Sequence, residues 1–396
     1  MRKGVRLVGI VTFNIVLTLL LLEGALHLVP LPAGFRSYLK AIGMMEQQKA
    51  SMVKDPLTGI PALRPRQTIT WSIMDGDWTI TTVPFPDNKD LGLRDDGLNP
   101  EAKRKVFACG DSYTFGFGVD NEQVWHEVLE RMYQGSVDIF NLREAGNSIA
   151  DIRDVYPLYK DRFAHDTVFL CIYLGNEFFD NYLNRERHRT PEAGEERPRQ
   201  TTFDQPGQGG SALLRYVWGH SYAARMVKFR FFRQWAKLGY YRLDSRREIY
   251  QPEGSPFVFT IDYEENILVR TCEKTYSPEM EAGVTAFRDA LGELVYLIRQ
   301  DGRQIYAFVF PFKEQVYWEQ WVSRLAAPAL YDRFKPNKIV DEALEAQGIE
   351  FYDLTTEMVE AGRQEILYWP IDSHWNPAGN QLAAELVHQW LGARLP

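Results

Sequence analysis

The sequence predicts an α/β fold, a mainly parallel sheet covered by helices, on three observations. From Lys105 onward, short apolar runs alternate with amphipathic stretches in a β-α-β-α-β rhythm. The apolar runs lack the in-out alternation of a half-solvated strand, which marks strands buried on both faces. The composition is globular: of 396 residues, 45% are hydrophobic and 25% charged, which excludes disordered, collagenous and coiled-coil classes. The length suits two domains or one decorated domain. A net charge of −8 argues against bulk electrostatic binding of nucleic acid. Cys109, Cys171 and Cys272 are too few and too scattered for a disulfide framework and lack the spacing of a zinc site. No metal and no cofactor are expected.

In chain order, residues 1–30 read as a membrane anchor. Arg2, Lys3 and Arg6 precede an uncharged run over 7–22, and 7–29 is long enough to span a bilayer if Glu23 and His27 sit near the far interface. The basic cluster keeps the N-terminus in the cytoplasm. This predicts a single-pass protein of the inner (cytoplasmic) membrane with its catalytic part extracytoplasmic, in the periplasm. Neither a lipobox cysteine nor an A-x-A site follows, so the anchor is expected to stay uncleaved.

Residues 31–100 are expected to form a stalk and a β-rich prelude. Within it, QTITWSIM and WTITTVPF alternate and are joined through Asp75-Gly76, a hairpin signal. Residues 101–396 form the α/β part. Its expected elements are strands at 106–109, 137–142, 167–174, 304–312 and 349–354. Helices are expected at 121–134, 149–163, from Ser277-Pro278 to a stop at Gly302, at 337–347 and from Pro377. An insertion at about 185–275 interrupts the rhythm. It begins as a charged, Pro- and Gly-rich loop, continues as a helical stretch and ends in mixed short strands at 246–275.

Four blocks carry chemistry. Strand 106–109 runs into Gly110-Asp111-Ser112, so Ser112 sits on the turn after a parallel strand, at the edge where α/β proteins place their sites. Gly146 follows the next strand and Gly175-Asn176 the third. The Ser112 amide, a glycine amide and the Asn176 side-chain amide could converge on one oxygen and stabilise an oxyanion. Asn176 also reads as a turn residue satisfying its own backbone.

The fourth block is Asp372-Ser373-His374. A serine needs a base to become a nucleophile, and among seven histidines only His374 lies in a loop at the mouth of a helix beside a carboxylate. His27 lies in the apolar segment, His188 in a charged loop and His220 in the insertion. His126, His165 and His388 lie on or beside amphipathic helices. Asp372 could hold the imidazole in the required tautomer.

These blocks resemble the SGNH (GDSL-like) hydrolases over roughly 90–182 and 277–396. The resemblance implies a flavodoxin-like, three-layer α/β/α sandwich. It implies Ser112 as nucleophile, His374 as base, Asp372 as third triad member, and the Ser112 backbone, Gly146 and Asn176 as oxyanion hole. The acid stands two residues before His374 where many members have three, and Asn176 is followed by Glu177 rather than Asp. The D-x-H-W-N-P form and the segment PFKEQVY (311–317) are more similar to the alginate O-acetylation branch. That adds transfer of an acetyl group to a sugar hydroxyl as an alternative to hydrolysis. The expected function is an esterase or O-acyltransferase acting on O-acyl groups of a glycan, with an acylated carbohydrate or other ester as substrate. The alternative is a catalytically silent scaffold that binds cell-envelope polysaccharide or partner proteins.

Within the insertion, 213–242 carries Arg215, Arg225, Lys228, Arg230, Arg233, Lys237 and Arg242 with interleaved aromatics and no acidic residue. It reads either as a surface for anionic lipid or acidic polysaccharide or as a cap packing its aromatics on the core. Cys109 and Cys171, with apolar neighbours, read as inert core thiols.

Overall fold

The protein is described by a computed structural model over residues 50–188 and 249–395, together with residue 18 and without 73–74, 142–147, 258, 261–266, 324 and 326. Apart from residue 18, the proposed anchor at 7–29 lies outside the described residues, as do the stalk, the basic stretch 213–242 and Gly146. Among the described residues no helix is long and apolar enough to cross a membrane.

The chain first builds an antiparallel sheet from β1 (Met52–Lys54), β2 (Pro61–Leu63), β3 (Thr68–Ser72), β4 (Asp77–Pro84) and β5 (Gly92–Arg94), in the order β1-β2-β5-β4-β3. The hairpin expected at Asp75-Gly76 is its β3–β4 pair, with Thr68 opposite Thr81 and Ser72 opposite Asp77. Trp71 faces Trp78 across that pair, edge to face at 5.1 Å, and both are 2% exposed. Such a pair adds about 1 kcal/mol beyond the burial of its area.

The α/β part follows. It comprises β6 (Arg104–Cys109), α1 (Ser112–Phe115), α2 (Trp125–Met132), β7 (Val137–Asn141), α3 (Ile149–Tyr159), β8 (Thr167–Tyr173) and α4 (Glu177–His188). After β9 (Ile249–Tyr250), β10 (Phe259–Thr260) and α5 (Ile267–Thr271) come α6 (Pro278–Gln300), β11 (Gln304–Phe310), α7 (Lys313–Val316) and α8 (Trp318–Val322). The chain closes with α9 (Lys335–Ala346), β12 (Glu350–Asp353), α10 (Thr355–Ala361) and α11 (Pro377–Leu391). The second five-stranded sheet runs β12-β11-β8-β6-β7 with every neighbour parallel. Counted along the chain, this is the 2-1-3-4-5 order of doubly wound sheets, with its switch point between β6 and β8.

Register shows why both faces are apolar. Phe107 lies beside Val168, which lies beside Ile305, so these three share a face and Phe308 and Phe310 take the other. Phe107 meets Tyr156 of α3 at 6.1 Å between ring centres. Phe308 and Phe310 meet Trp125 of α2 at 6.3 and 5.6 Å, and Phe308 meets Trp390 of α11 at 5.8 Å. Helices thus cover both faces, and β8 between them is buried along its whole length. α6 starts on Ser277, whose side chain accepts from the Met280 amide, and its chain reverses at Gly302 with φ 69°.

Three expectations change. The helix expected from 121 begins at Trp125, because 121–123 form a 3-10 turn tied to the antiparallel sheet. In that tie the Thr79 amide donates to Asp120 at 2.6 Å and the Thr81 amide to Asn121 at 3.2 Å. The loop expected from 185 is still helix through His188, since its side chains pair with α3: Arg187 with Asp151 at 2.8 Å and His188 with Asp154 at 3.3 Å. Residues 267–271 are helical where short strands were expected.

A buried acidic group joins the two sheets. Asp95, Glu127 and Asp138 are at most 4% exposed, and Glu130 lies beside them. Burial, followed by mutual repulsion, pushes Asp95 up to about 7 and Glu130 up to about 9. Glu127 is pushed up for the same two reasons. Carboxyls raised in the folded state bind more protons than the unfolded chain, so their stabilising share is full below about pH 4 and is lost as pH rises through the folded values. The melting temperature is therefore expected to fall between about pH 5 and about pH 8, and Glu130→Gln to flatten that slope. A thermal scan against pH in which the variant keeps the parent slope would refute this.

Candidate active site

Ser112 opens α1 directly after β6, with Asp111 as cap: the Asp111 side chain accepts the Tyr113 amide at 3.0 Å, and Gly116 ends the turn at φ 76°. As the first residue of a helical turn, Ser112 holds a backbone N–H with no partner inside the helix. Gly110 makes the approach possible. A Cβ there would lie 2.0 Å from Thr114 Oγ1 and 2.8 Å from Cys171 Cβ, so no other residue fits without displacing β8.

The fourth block meets the first. His374 Nε2 lies 2.7 Å from Ser112 Oγ, and His374 Nδ1 lies 2.5 Å from Asp372 Oδ1. Asp372 Oδ1 also accepts the His374 amide at 3.0 Å, which fixes acid and imidazole to one turn. A carboxylate can only accept, so the ring proton sits on Nδ1 and Nε2 is left to take the serine proton. Burial works against the charge of Asp372, yet the His374 ring, the two His374 hydrogen bonds and the Lys313 ammonium hold its pKa below the usual carboxylate value. The imidazole is packed between rings, with Phe117 at 4.8 Å and Tyr113 at 5.1 Å, and the Tyr113 hydroxyl donates to the Ser373 carbonyl at 2.5 Å. His374 and Asp372 keep 18% and 21% of their side-chain surface exposed, so the pair is open to an incoming molecule.

The third block ends β8 at the same edge. The Asn176 side-chain amide donates to Asp180 at 2.6 Å, so it is held by a residue of α4 and not by its own turn. Glu177, the departure from the usual Asn-Asp, accepts the Ile149 amide at 2.8 Å, while Asn181 accepts the Ala150 amide at 3.0 Å. These two side chains cap α3 just after the segment that contains Gly146. Burial pushes Glu177 up to about 8 and, with Asp151 and Asp111 nearby, Asp180 up to about 7. Among the described residues no group of three or more His, Cys, Asp or Glu could hold a metal ion.

Two other histidines, His126 and His165, are accounted for by packing. His126 is 1% exposed beside Asn141, and burial brings it down to about 3. His165 binds the Phe163 carbonyl and Arg303, and burial brings it down to about 4. Cys109 and Cys171 are buried, and burial pushes both thiols up, away from nucleophilic character.

Residues that sequence reasoning missed hold the site from outside. Arg94 of β5, 3% exposed, donates to the carbonyls of Phe115 at 2.8 Å, Gly116 at 2.6 Å and Val119 at 2.5 Å. It thereby fixes the chain just beyond Ser112. Asp75 and Lys313 bind the backbone around Asp372. Asp75 carried a signal as a turn residue; nothing in the sequence marked Arg94 as facing inward.

Residues 268–395 match the family model of an SGNH hydrolase-like domain, acetyltransferase AlgX. The match contains Asp372 and His374, and Ser112 precedes it. No curated protein matches the sequence significantly. Similar solved structures include LAE5, an alpha/beta hydrolase from the metagenome of Lake Arreo, at 13% identity and TM-score 0.38 over 75% of this chain and 98% of that one. A lipolytic protein of the G-D-S-L family from Desulfitobacterium hafniense has 11% identity and TM-score 0.36, over 72% and 98%. The acetyl xylan esterase AlAXEase has 11% identity and TM-score 0.36, over 72% and 99%. Likeness this slight carries no weight on reaction or substrate. Over 268–395 the chain is thus similar to an SGNH hydrolase-like domain of the acetyltransferase AlgX.

Proposed function

We propose that this chain is a serine esterase or O-acyltransferase that acts on O-acyl groups, in particular O-acetyl groups of a glycan. The observation that carries the proposal is the continuous hydrogen-bond chain from Ser112 Oγ through His374 to Asp372. In the proposed reaction Ser112 Oγ attacks the acyl carbonyl as its proton passes to His374 Nε2, and Asp372 stabilises the imidazolium that forms. The carbonyl oxygen gathers negative charge and accepts from the Ser112 amide, the Gly146 amide and the Asn176 side chain, an arrangement worth several kcal/mol of barrier. The imidazolium then gives its proton to the departing oxygen, leaving an acyl group on Ser112. Water or a sugar hydroxyl, deprotonated by His374, removes that group.

The proposal includes an uncleaved anchor at 1–30, a stalk and prelude at 31–100 and a catalytic domain at 101–396 outside the cytoplasm, in the company of cell-envelope assembly partners. Mass spectrometry of the full chain after mixing with an activated acetyl ester tests the chemistry. An acetyl group on Ser112 is expected, released faster by an acceptor glycan if the protein is a transferase and at the same rate if it is a hydrolase. A chain that neither acetylates nor turns over esters would be the silent scaffold. A reporter enzyme active only outside the cytoplasm, fused after the last residue, should be active in cells; an inactive fusion would refute the topology.

A further inference from the structure

We infer that Asp75 and Lys313 are positioning residues that clamp the acid loop and set Asp372 against His374. The inference rests on the serine–histidine–aspartate reading above and adds two residues that reading does not contain. Lys313, at the mouth of β11, is 1% exposed, and its ammonium donates to the carbonyls of Pro370 at 3.2 Å, Ile371 at 3.4 Å and Asp372 at 3.2 Å. Asp75 takes the amides of the same segment: Oδ1 accepts from Ile371 at 2.9 Å and Oδ2 from Asp372 at 2.7 Å. A cation on the carbonyls and an anion on the amides fix the orientation of these peptide planes, and charge-assisted bonds are the stronger kind.

Asp372 is consequently held at its amide, its carbonyl and one carboxylate oxygen. Its amide is bound by Asp75, its carbonyl by Lys313 and its side chain by the amide and ring of His374. Asp75 itself is fixed because its hairpin is closed by the buried Trp71–Trp78 pair. A buried ammonium is costly, and burial brings Lys313 below its usual value, opposed by the charges of Glu314, Asp372 and Asp75. The antiparallel sheet therefore completes the site through a side chain 297 positions away from the acid.

The test uses the full chain and the variants Asp75→Ala, Asp75→Asn and Lys313→Met, with Asp111, the other carboxyl acting on His374, left intact. Two readouts go beyond folding: the pH profile of covalent labelling of Ser112 by a fluorophosphonate, and the downfield proton resonance of His374 Nδ1–H. Asp75→Ala should fold, since Asp75 is half-exposed, yet label about 10- to 100-fold more slowly. Its labelling midpoint should move to lower pH, because a misaligned Asp372 stabilises the imidazolium less. The downfield resonance should broaden or vanish. Asp75→Asn should fall between, as a side-chain amide oxygen can serve only one of the two N–H groups well.

Parent-like rate, midpoint and resonance in Asp75→Ala would overturn the clamp; if Lys313→Met does not fold, the Asp75 variants decide alone. A parent chain that never labels at Ser112 would overturn the triad reading instead. In that case the resonance still decides whether Asp75 orders the acid loop.

Discussion

Ester turnover by Ser112→Ala and by His374→Ala is expected to drop by about 10⁴-fold or more, and the double variant is expected to be no worse than either single one. The 2.7 Å contact makes the two side chains one functional group. A serine without its base keeps its proton, and a base without its serine has nothing to activate, so removing the second partner removes nothing further. The melting temperature should hardly move, because Ser112 and His374 are partly exposed and neither fills the core. The measurement is steady-state hydrolysis of an acetyl ester by the four proteins, with thermal scans alongside. Losses that multiply in the double variant would mean that serine and histidine act independently, and the proposed relay would fall.

The second large effect concerns stability. Gly110→Ala is expected to cost about 3 kcal/mol or more. The new methyl group would meet Thr114 Oγ1 at 2.0 Å, Cys171 Cβ at 2.8 Å and the Cys171 carbonyl oxygen at 2.9 Å. Thr114 is 0% exposed and Cys171 belongs to a strand buried on both faces, so neither neighbour can withdraw. The strain is relieved only by moving α1 off the end of β8, and that displaces Ser112 from His374. Urea unfolding should therefore show an earlier midpoint, and fluorophosphonate labelling should slow in protein that is still folded. Parent-like values of both would mean that the sheet edge accommodates the methyl group.

Much of this was legible from the sequence, for identifiable reasons. Parallel strands buried on both faces must be apolar throughout, so 106–109 and 167–174 betrayed themselves. Asp-Gly between two alternating runs signals a hairpin, and Ser277 and Gly302 bracket α6 by the chemistry of helix ends. The four blocks taken in order lead to the expectation that Ser112, Asp372 and His374 meet, and their side chains do form one hydrogen-bonded chain. What escaped notice was non-local. Trp125 rather than Asn121 begins α2 because Asp120 and Asn121 are held by a different sheet. Arg187 and His188 read as loop residues until α3 supplies Asp151 and Asp154 as partners. Lys313 has the composition of a surface residue and the burial of a core one, a difference set by three carbonyls some 57 to 59 positions further on.

The distance along the chain between serine and base has a consequence for how the molecule comes into being. Ser112 is joined to a histidine 262 positions later, and the loop carrying that histidine is oriented by a hairpin near residue 75. A chain still emerging from the ribosome has its serine long before its base, and a C-terminally truncated one never acquires the base at all. By the proposed mechanism neither could activate an ester, whatever else of it has folded. Contacts of such long range also form late and slowly. Under the proposed function, activity would thus be a gauge of completion: the first turnover would mark the moment when residues 112 and 374 have found each other.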